Sequence, residues 1–288
     1  MIPQQLFNHY PTSKQEILSP RWAGLLPILL FLACFAFSQQ AQAQTNTAYG
    51  NGALVSLTSG VWNSGFGFQA LNHDTAGLNN TATGLRSLFS DTSGSNNTCT
   101  GVYALYGNTT GWYNNAVGAF ALANNSEGFY NTASGYAALY DNTADDNAAN
   151  GYAALFHNTT GESNAADGSL ALFNNTTGGF NTGTGFQALY SNTTGASNTA
   201  SGSLALFSIT TGEANMANGV GALQNNTAGT SNTANGVSAL FNNTGGDGNV
   251  AVGYQALLSS VTNGANTKDG ANVAVFSSAS EYQRPWQQ

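Results

Sequence analysis

Histidine, cysteine and neighbouring acids are the side chains of this sequence that could bind a metal or support catalysis. After residue 43 the chain has two histidines, His73 and His157, and a single cysteine, Cys99. Two histidines close together could bind zinc, whereas one cysteine needs further ligands or a second thiol for metal or redox chemistry. The adjacent Asp145 and Asp146 could offer oxygen ligands to Ca²⁺. Whether any of these residues lie close together depends on the fold of the segment that contains them.

A 17-residue repeat runs from Asn46 to Ala265 and carries all of these residues. Its consensus is N-T-A-x-G-x-x-A-L-x-x-N-T-T-G-x-x, and one residue is missing after the copy that begins at Asn131. Position one is Asn, position five is Gly and position nine is Leu in all thirteen copies. A disordered low-complexity chain, which the composition alone would allow, has no reason to keep this register. The copies begin at Asn46, Asn63, Asn80, Asn97, Asn114, Asn131, Asn147, Asn164, Asn181, Asn198, Asn215, Asn232 and Asn249.

The length of the repeat indicates its fold. A helical pair needs about 33 residues, whereas 17 residues suit one turn of a β-solenoid. The N-T-T-G segment predicts a turn, because Asn and Gly tolerate positive φ. No proline lies between Pro27 and Pro285, so no rung of a parallel ladder would lack its N–H donor. We predict an all-β fold, a parallel β-solenoid of thirteen 17-residue coils stacked about 4.8 Å apart, with Asn and Thr ladders bonding along the axis.

The interior of such a coil is small. Leu at position nine and small residues at positions three and eight point inward, which makes a thin core for one chain. Cys99 stands at position three, so we expect it to be buried in place of Ala. Position ten is aromatic in eight copies, and this strip is either additional core or a seam against another chain. We favour the seam and predict a homotrimer. The eight rings are Phe89, Tyr106, Tyr140, Phe156, Phe173, Tyr190, Phe207 and Phe241.

The repeat separates the residues that could do chemistry. His73 and His157 both stand at position eleven, on the outer side of the turn, and five coils or about 24 Å apart, which excludes a shared metal. The acids occupy several repeat positions, so we expect no recurring pair of carboxylates. Asp145 and Asp146 adjoin the missing residue, and a solvated turn is favoured there over a Ca²⁺ site. We therefore predict no enzyme, no cofactor, and no catalytic, cofactor-binding or metal-binding residue; the pattern does not identify the residues that bind a partner.

The N-terminal residues indicate export. Lys14 and Arg21 precede an apolar run over residues 22–37, and Ala41 and Ala43 form an A-x-A cleavage signature. The run is shorter than the roughly 20 residues of a membrane-spanning helix. A secretory signal peptide is therefore favoured, with an uncleaved anchor or a lipidated cysteine in the FLAC sequence as alternatives. We expect the protein outside the cell or on a bacterial cell surface.

Charge and domain organisation complete the prediction. Charged residues make up only 6% of the chain and the formal net charge is −8, which argues against nucleic acid as a partner. The predicted units are a signal peptide at 1–43, the repeat β-solenoid at 44–265, and a degenerate C-terminal cap or tail at 266–288.

Two runs within the repeat, NNAVGAFAL at 114–122 and NVAVGYQAL at 249–257, resemble the head repeats of YadA-like trimeric autotransporter adhesins. Related repeats occur in phage-type tail fibres. The resemblance covers about 220 of the 288 residues and implies a left-handed parallel β-roll, a trimer, and adhesion to host or matrix surfaces. The repeat here is longer than the typical head repeat. The 23 residues after Ala265 are too few for the stalk and membrane anchor of that family.

The repeat, the export signal and the resemblance together predict an exported, non-catalytic, adhesin-like surface or fibre protein. Its expected partners are further copies of itself and a protein or glycan ligand on a host, matrix or cell surface, with no small-molecule substrate. Two alternatives remain. One is a structural extracellular spacer, and the other is an ice-binding or mineral-templating solenoid, which the regular N-T-A and N-T-T ladders would suit.

Overall fold

The computed structural model describes residues 45–259 and 273–275, and this part of the chain folds as a β-solenoid. Its 14 strands, each three residues long, are all parallel and lie in one sheet in the order of the sequence. Strands pair one repeat apart, as Thr81 with Thr98. The predicted all-β parallel solenoid with 17-residue coils is confirmed. The strands are β1 (Thr47–Tyr49), β2 (Ser64–Phe66), β3 (Thr81–Thr83), β4 (Thr98–Thr100), β5 (Asn115–Val117), β6 (Thr132–Ser134), β7 (Ala148–Asn150), β8 (Ala165–Asp167), β9 (Thr182–Thr184), β10 (Thr199–Ser201), β11 (Met216–Asn218), β12 (Thr233–Asn235), β13 (Val250–Val252) and β14 (Val273–Val275).

The signal peptide at 1–43, the uncleaved anchor and the cysteine of the FLAC sequence all lie outside the described residues. Within the described ranges, no helix has the length and apolar character needed to cross a membrane.

Strand β14 extends the sheet beyond the thirteen predicted coils. It pairs Val250 of β13 with Val273, so the spacing is 23 residues in place of 17. The sequence N-V-A-V at 272–275 repeats N-V-A-V at 249–252, but the interval of 23 residues departs from the 17-residue period that defined the thirteen copies. This strand belongs to the segment 266–288 that the sequence assigned to a cap or tail.

The coil with the missing residue keeps its register with its neighbours. Thr132 of β6 pairs with Ala148 of β7, although these residues are 16 apart. The turn absorbs the deletion, because the Asp146 N–H still donates to the Phe129 carbonyl one coil earlier. The strand face is therefore continuous across the irregular coil.

Asn at position one closes each coil. In a representative coil the Asn164 Nδ2 donates to the carbonyl of Gly178 at 2.9 Å, and its Oδ1 accepts the N–H of Asn181 at 2.9 Å. The first bond joins the start of a coil to its own end, and the second joins it to the next coil. The side chain is buried, so both amide groups need partners and both have them.

A second Asn column, at position twelve, also lies inside. Asn175 donates to the carbonyl of Gly178 at 2.9 Å and to Oδ1 of Asn158 at 2.7 Å. The predicted Asn ladders are therefore present, but they are internal, whereas the sequence analysis assigned only Leu and small residues to the interior. At position thirteen the Thr hydroxyls bond along the axis to backbone carbonyls and not to each other, as Thr176 does to Thr193 at 2.9 Å.

The apolar interior consists of the residues expected. Ala at positions three and eight and Leu at position nine form one buried cluster along the described coils. Cys99 is a free thiol within that cluster and is fully buried, as predicted from its place at position three. Burial raises the pKa of the Cys99 thiol to about 12, so the thiol stays protonated at neutral pH.

Positive φ angles occur where the sequence analysis did not place them. They recur at positions five, seven, nine and seventeen, as in Gly151 (φ 139°), Ala153 (φ 51°), Leu155 (φ 52°) and Ser163 (φ 57°). The expectation that the N-T-T-G segment would supply them is wrong. Glycine is required in this segment for lack of space. A Cβ at Gly178 would lie 2.3 Å from the carbonyl oxygen of Gly195, the equivalent glycine of the next coil.

Left-handed leucine is the unusual part of this backbone. The αL conformation costs an L-residue roughly 1–2 kcal/mol. Full burial of a leucine side chain contributes about 1.5–3 kcal/mol, which offsets that cost. Since Leu155 and its equivalents are fully buried in the described inner coils, the strain persists at this position in every copy.

Alanine at position five should destabilise the fold. We expect Gly151→Ala to lower stability by more than about 2 kcal/mol, because its φ of 139° disfavours a side chain and the Cβ would lie 2.6 Å from Gly168. Gly245→Ala is the control, since no atom lies within 4 Å of its Cβ. Urea and thermal unfolding should show a large loss for the first variant and little change for the second. Equal effects would contradict this account of position five.

Candidate functional site

The histidines and Asp145 do not form a common site. His73 is exposed, and the His157 Nδ1 lies 3.1 Å from the Asp141 Oδ2. The Asp145 Oδ1 accepts the backbone N–H of Phe129 at 2.9 Å. Across residues 45–259 and 273–275 there is no group of three or more His, Cys, Asp or Glu side chains placed to hold a metal ion. The residues that the sequence singled out for chemistry thus remain separate along the solenoid.

Asp74 and Asp91 form a buried pair at position twelve. Asp91 Oδ1 accepts the Gly94 N–H at 3.1 Å and the Asn108 Nδ2 at 2.9 Å. Asp74 Oδ1 accepts the Gly77 N–H at 2.7 Å, whereas its Oδ2 has no hydrogen-bond partner. Both side chains are fully buried. The sequence analysis treated these two acids as scattered and did not identify the pair, which forms because one repeat of separation places like positions in neighbouring coils.

Burial decides the protonation of this pair. Desolvation raises the pKa of Asp74 to about 6. Desolvation, followed by the charge of Asp74, raises the pKa of Asp91 to about 8. The two aspartates precede the buried Asn residues of the position-twelve column. The Asp91 Oδ1 accepts a hydrogen bond from the first of these, Asn108. Because the carboxyls are closed to solvent, we assign them a structural role.

The acid pair should make the solenoid more stable at low pH. An unfolded Asp91 titrates near its ordinary pKa of 3.8 and the folded one near 8, so the folded state retains a proton that the unfolded chain releases. Its stabilising contribution is full below about pH 4 and is lost as the pH rises to 8, with the contribution of Asp74 lost by about pH 6. We expect Asp91→Asn to raise the thermal midpoint at pH 8 and to flatten its pH dependence.

Asp167→Asn is the matched control for that experiment. Asp167 is exposed at position four, and it accepts a hydrogen bond from Asn150 at 3.0 Å, much as Asn235 accepts one from Asn218 four coils further along the rod. This variant should leave the pH profile unchanged. A steeper profile for Asp91→Asn than for the unmodified protein would contradict the assignment.

The rings at position ten form a column along the outside of the core. Successive centroids from Tyr140 through Phe156, Phe173 and Tyr190 to Phe207 are 4.9, 5.4, 5.4 and 5.2 Å apart, all in stacked geometry. Each ring is half-buried, so the column lies beside the Leu and Ala core and is not part of it. The seam against another chain stays a prediction.

Rings from position seven continue this column where position ten lacks one. Ala123 occupies position ten in its coil, and Phe120 lies 6.3 Å from Tyr140 on one side. On the other side Phe120 stacks on Tyr103 at 5.4 Å, and Tyr103 contacts Tyr106 at 5.2 Å. We call the position-ten rings from Phe89 to Phe207, together with these two position-seven rings, the ring column; Phe241 is separated from it by the coil with Gln224.

A second line of apolar side chains is exposed beside the ring column. It occupies position six, and it joins the column through Phe120 and Tyr136, whose centroids are 5.9 Å apart. We call this line the exposed row. Sequence reasoning missed it because position six varies among aromatic, aliphatic and polar residues and so has no consensus. Its large members are Phe68, Leu85, Val102, Tyr136, Tyr152, Phe186, Val220, Val237 and Tyr254.

Comparison of the chain with protein-family models, with curated proteins and with solved structures found no match. The resemblance to YadA-like head repeats therefore rests on the repeats themselves, and the function must be argued from the surfaces.

Proposed function

We propose that the protein is an exported, non-catalytic, adhesin-like surface or fibre protein that binds a macromolecular surface through the exposed row. The observation that carries the proposal is the alignment of large apolar side chains at position six on the outside of the solenoid. With coils about 4.8 Å apart, the row from Phe68 to Tyr254 is about 50 Å long. Large apolar side chains occupy position six in nine of the twelve coils over this length, and soluble proteins seldom leave so extended an apolar surface without a partner.

Part of the exposed row is already ordered by a contact between its own side chains, which favours binding. Tyr136 and Tyr152 stack at 5.5 Å, so binding would cost little additional side-chain entropy. Repetition along the rod also lets several weak contacts act together, which raises the overall affinity without any strong single site.

Charge supports an apolar mode of attachment. Only 6% of the residues are charged, and the formal net charge of −8 disfavours nucleic acid and anionic membrane as partners. Arg86 is the single described lysine or arginine, and its guanidinium lies 5.2 Å above the ring of Phe89. The attachment would therefore depend on aromatic and aliphatic contacts.

The strand face offers less support for an ice-binding or templating solenoid. Such a function needs a regular hydroxyl array, and Ala148, Ala165 and Met216 interrupt the exposed threonines at the first strand position. Threonine occupies that position in seven of the 14 strands. These are Thr47, Thr81, Thr98, Thr132, Thr182, Thr199 and Thr233.

Loss of side chains from the exposed row should weaken attachment. We expect the double variant Tyr152→Ser with Phe186→Ser to bind surfaces coated with cells or matrix proteins at least tenfold more weakly, because two exposed apolar contacts are removed. Met216→Ser, which removes an equally exposed apolar side chain from the strand face, should bind normally. If the unmodified protein binds none of these surfaces, the spacer alternative is favoured and the adhesive function is wrong.

The ring column predicts self-association. We propose that three chains meet along it, and that light scattering on the purified protein will give the mass of a trimer. Phe173→Ser opens the middle of the column and should shift the protein towards monomer, whereas Met216→Ser should not. Circular dichroism of both variants would verify that the coils remain folded. A stable monomer for the unmodified protein would contradict the seam.

A further inference from the structure

Four aromatic side chains form a cluster at one corner of the solenoid, away from the exposed row in the repeat. They are the residues at positions sixteen and seventeen of two neighbouring coils: Trp112, Tyr113, Phe129 and Tyr130. Trp112 stacks on Phe129 at 5.1 Å, and Tyr113 stacks on Tyr130 at 5.3 Å. The two stacks contact each other edge to face, at 5.1 Å between Trp112 and Tyr113. We call these residues the corner cluster.

The corner cluster remains open to solvent despite these contacts. The relative exposure is 37% for Trp112 and 48% for both Tyr113 and Tyr130. Nothing in the fold requires rings here, because serine holds the same αL conformation at position seventeen in Ser163 and Ser197. The aromatic side chains are therefore not needed for the backbone to fold at this corner.

Polar side chains lie at both ends of the corner cluster. On one side the Tyr113 N–H donates to the Ser95 carbonyl, so the coil with Ser95 and Asn96 is the neighbour. On the other side the Asp146 N–H donates to the Phe129 carbonyl, so the coil with Asp145 and Asp146 is next. That coil is one residue short and has no ring at this corner. At position seventeen Tyr130 is therefore followed by Asp146 and not by a further ring that could stack on it.

The spacing of the rings excludes one class of ligand. Aromatic cages bind cations by surrounding them with ring faces. Here the ring faces touch each other, with stacked centroids 5.1 and 5.3 Å apart, so no cation could enter between them. The cluster is a platform and not a cage.

We propose that the corner cluster is a binding platform for a neutral, linear carbohydrate. This inference rests on the proposed adhesive function and names the ligand class of a second surface. The C–H face of a pyranose carries partial positive charge and would pack on the negative face of Tyr130 that points away from Tyr113, because the faces stacked between the rings are closed to a ligand. Its hydroxyls would donate to the Asp146 carboxylate and exchange hydrogen bonds with the Asn96 amide. Asp145, Asp146 and Glu162 would repel uronates and other anionic sugars.

The dimensions agree with a short stretch of such a chain. Asn96, Tyr113, Tyr130 and Asp146 occupy position seventeen of four successive coils, which span about 14 Å at 4.8 Å per coil. One coil step is close to the length of one pyranose unit. A linear glycan aligned with the rod could therefore contact the exposed edges of Tyr113 and Tyr130 at its centre and a polar side chain at each end.

The test uses the full chain and defined glycans. We would titrate the protein with chitohexaose and cellohexaose, measure co-sedimentation with insoluble chitin and cellulose, and use polygalacturonate as the anionic probe. Trp112 provides a direct signal, because a sugar on the platform should change its fluorescence. At least one neutral glycan should bind saturably, and polygalacturonate should not.

Two variants test whether this binding occurs at the corner cluster. Tyr130→Ser should weaken binding at least tenfold, and serine is compatible with the αL backbone found at this position. Phe180→Ser is the matched control, because Phe180 has the same repeat position and 66% exposure but serines in the coils on both sides. It should bind like the unmodified protein. Binding of no neutral glycan, or equal losses in both variants with intact circular dichroism, would overturn the proposal.

The two proposals can fail separately. If the protein attaches to cell or matrix surfaces through the exposed row but ignores all of these glycans, only the corner platform is wrong. If it binds a neutral glycan through Tyr130 and the variants of the exposed row behave normally, the exposed row is not the adhesive surface.

Discussion

The solenoid depends on one buried amide in each coil. The position-one Asn side chain joins the first residue of a coil to the carbonyl near its end and accepts the N–H of the next coil, as Asn164 does with Gly178 and Asn181. A carboxylate could not donate, and a shorter hydroxyl could not reach both partners. Since a buried unpaired amide is costly, every copy must keep both the length of the coil and the register of its neighbour.

This internal bonding explains how so thin a core can support an elongated fold. The interior contains one leucine and two alanines in a typical coil, such as Leu172, Ala166 and Ala171, which bury little apolar area. The two Asn columns fill the rest of the interior with satisfied hydrogen bonds. Apart from a few interior positions, the side chains then point outward, and like positions line up along the axis. Surface chemistry can change coil by coil while the backbone stays the same.

The sequence predicted those parts of the structure that repeat identically. Period, strand direction, the Leu and Ala interior and the burial of Cys99 all followed from register. It could not predict features that depend on geometry within a coil, such as the αL backbone at Leu155, a conformation unusual for leucine. It also missed pairs formed by departures from the consensus. Asp74 and Asp91 read as scattered acids until stacking placed one above the other.

The exposed row and the corner cluster differ in how selectively they can bind, because the row repeats along the solenoid and the cluster does not. A row that recurs in most coils offers many equivalent contacts, so it favours avidity and tolerates variation in the ligand. Selectivity needs an arrangement that occurs once. Among the described residues, the four stacked rings of the corner cluster beside the shortened coil are such an arrangement. Because the deletion leaves the strand register intact, a unique site could arise at one corner without disturbing the ladder that stabilises every other coil.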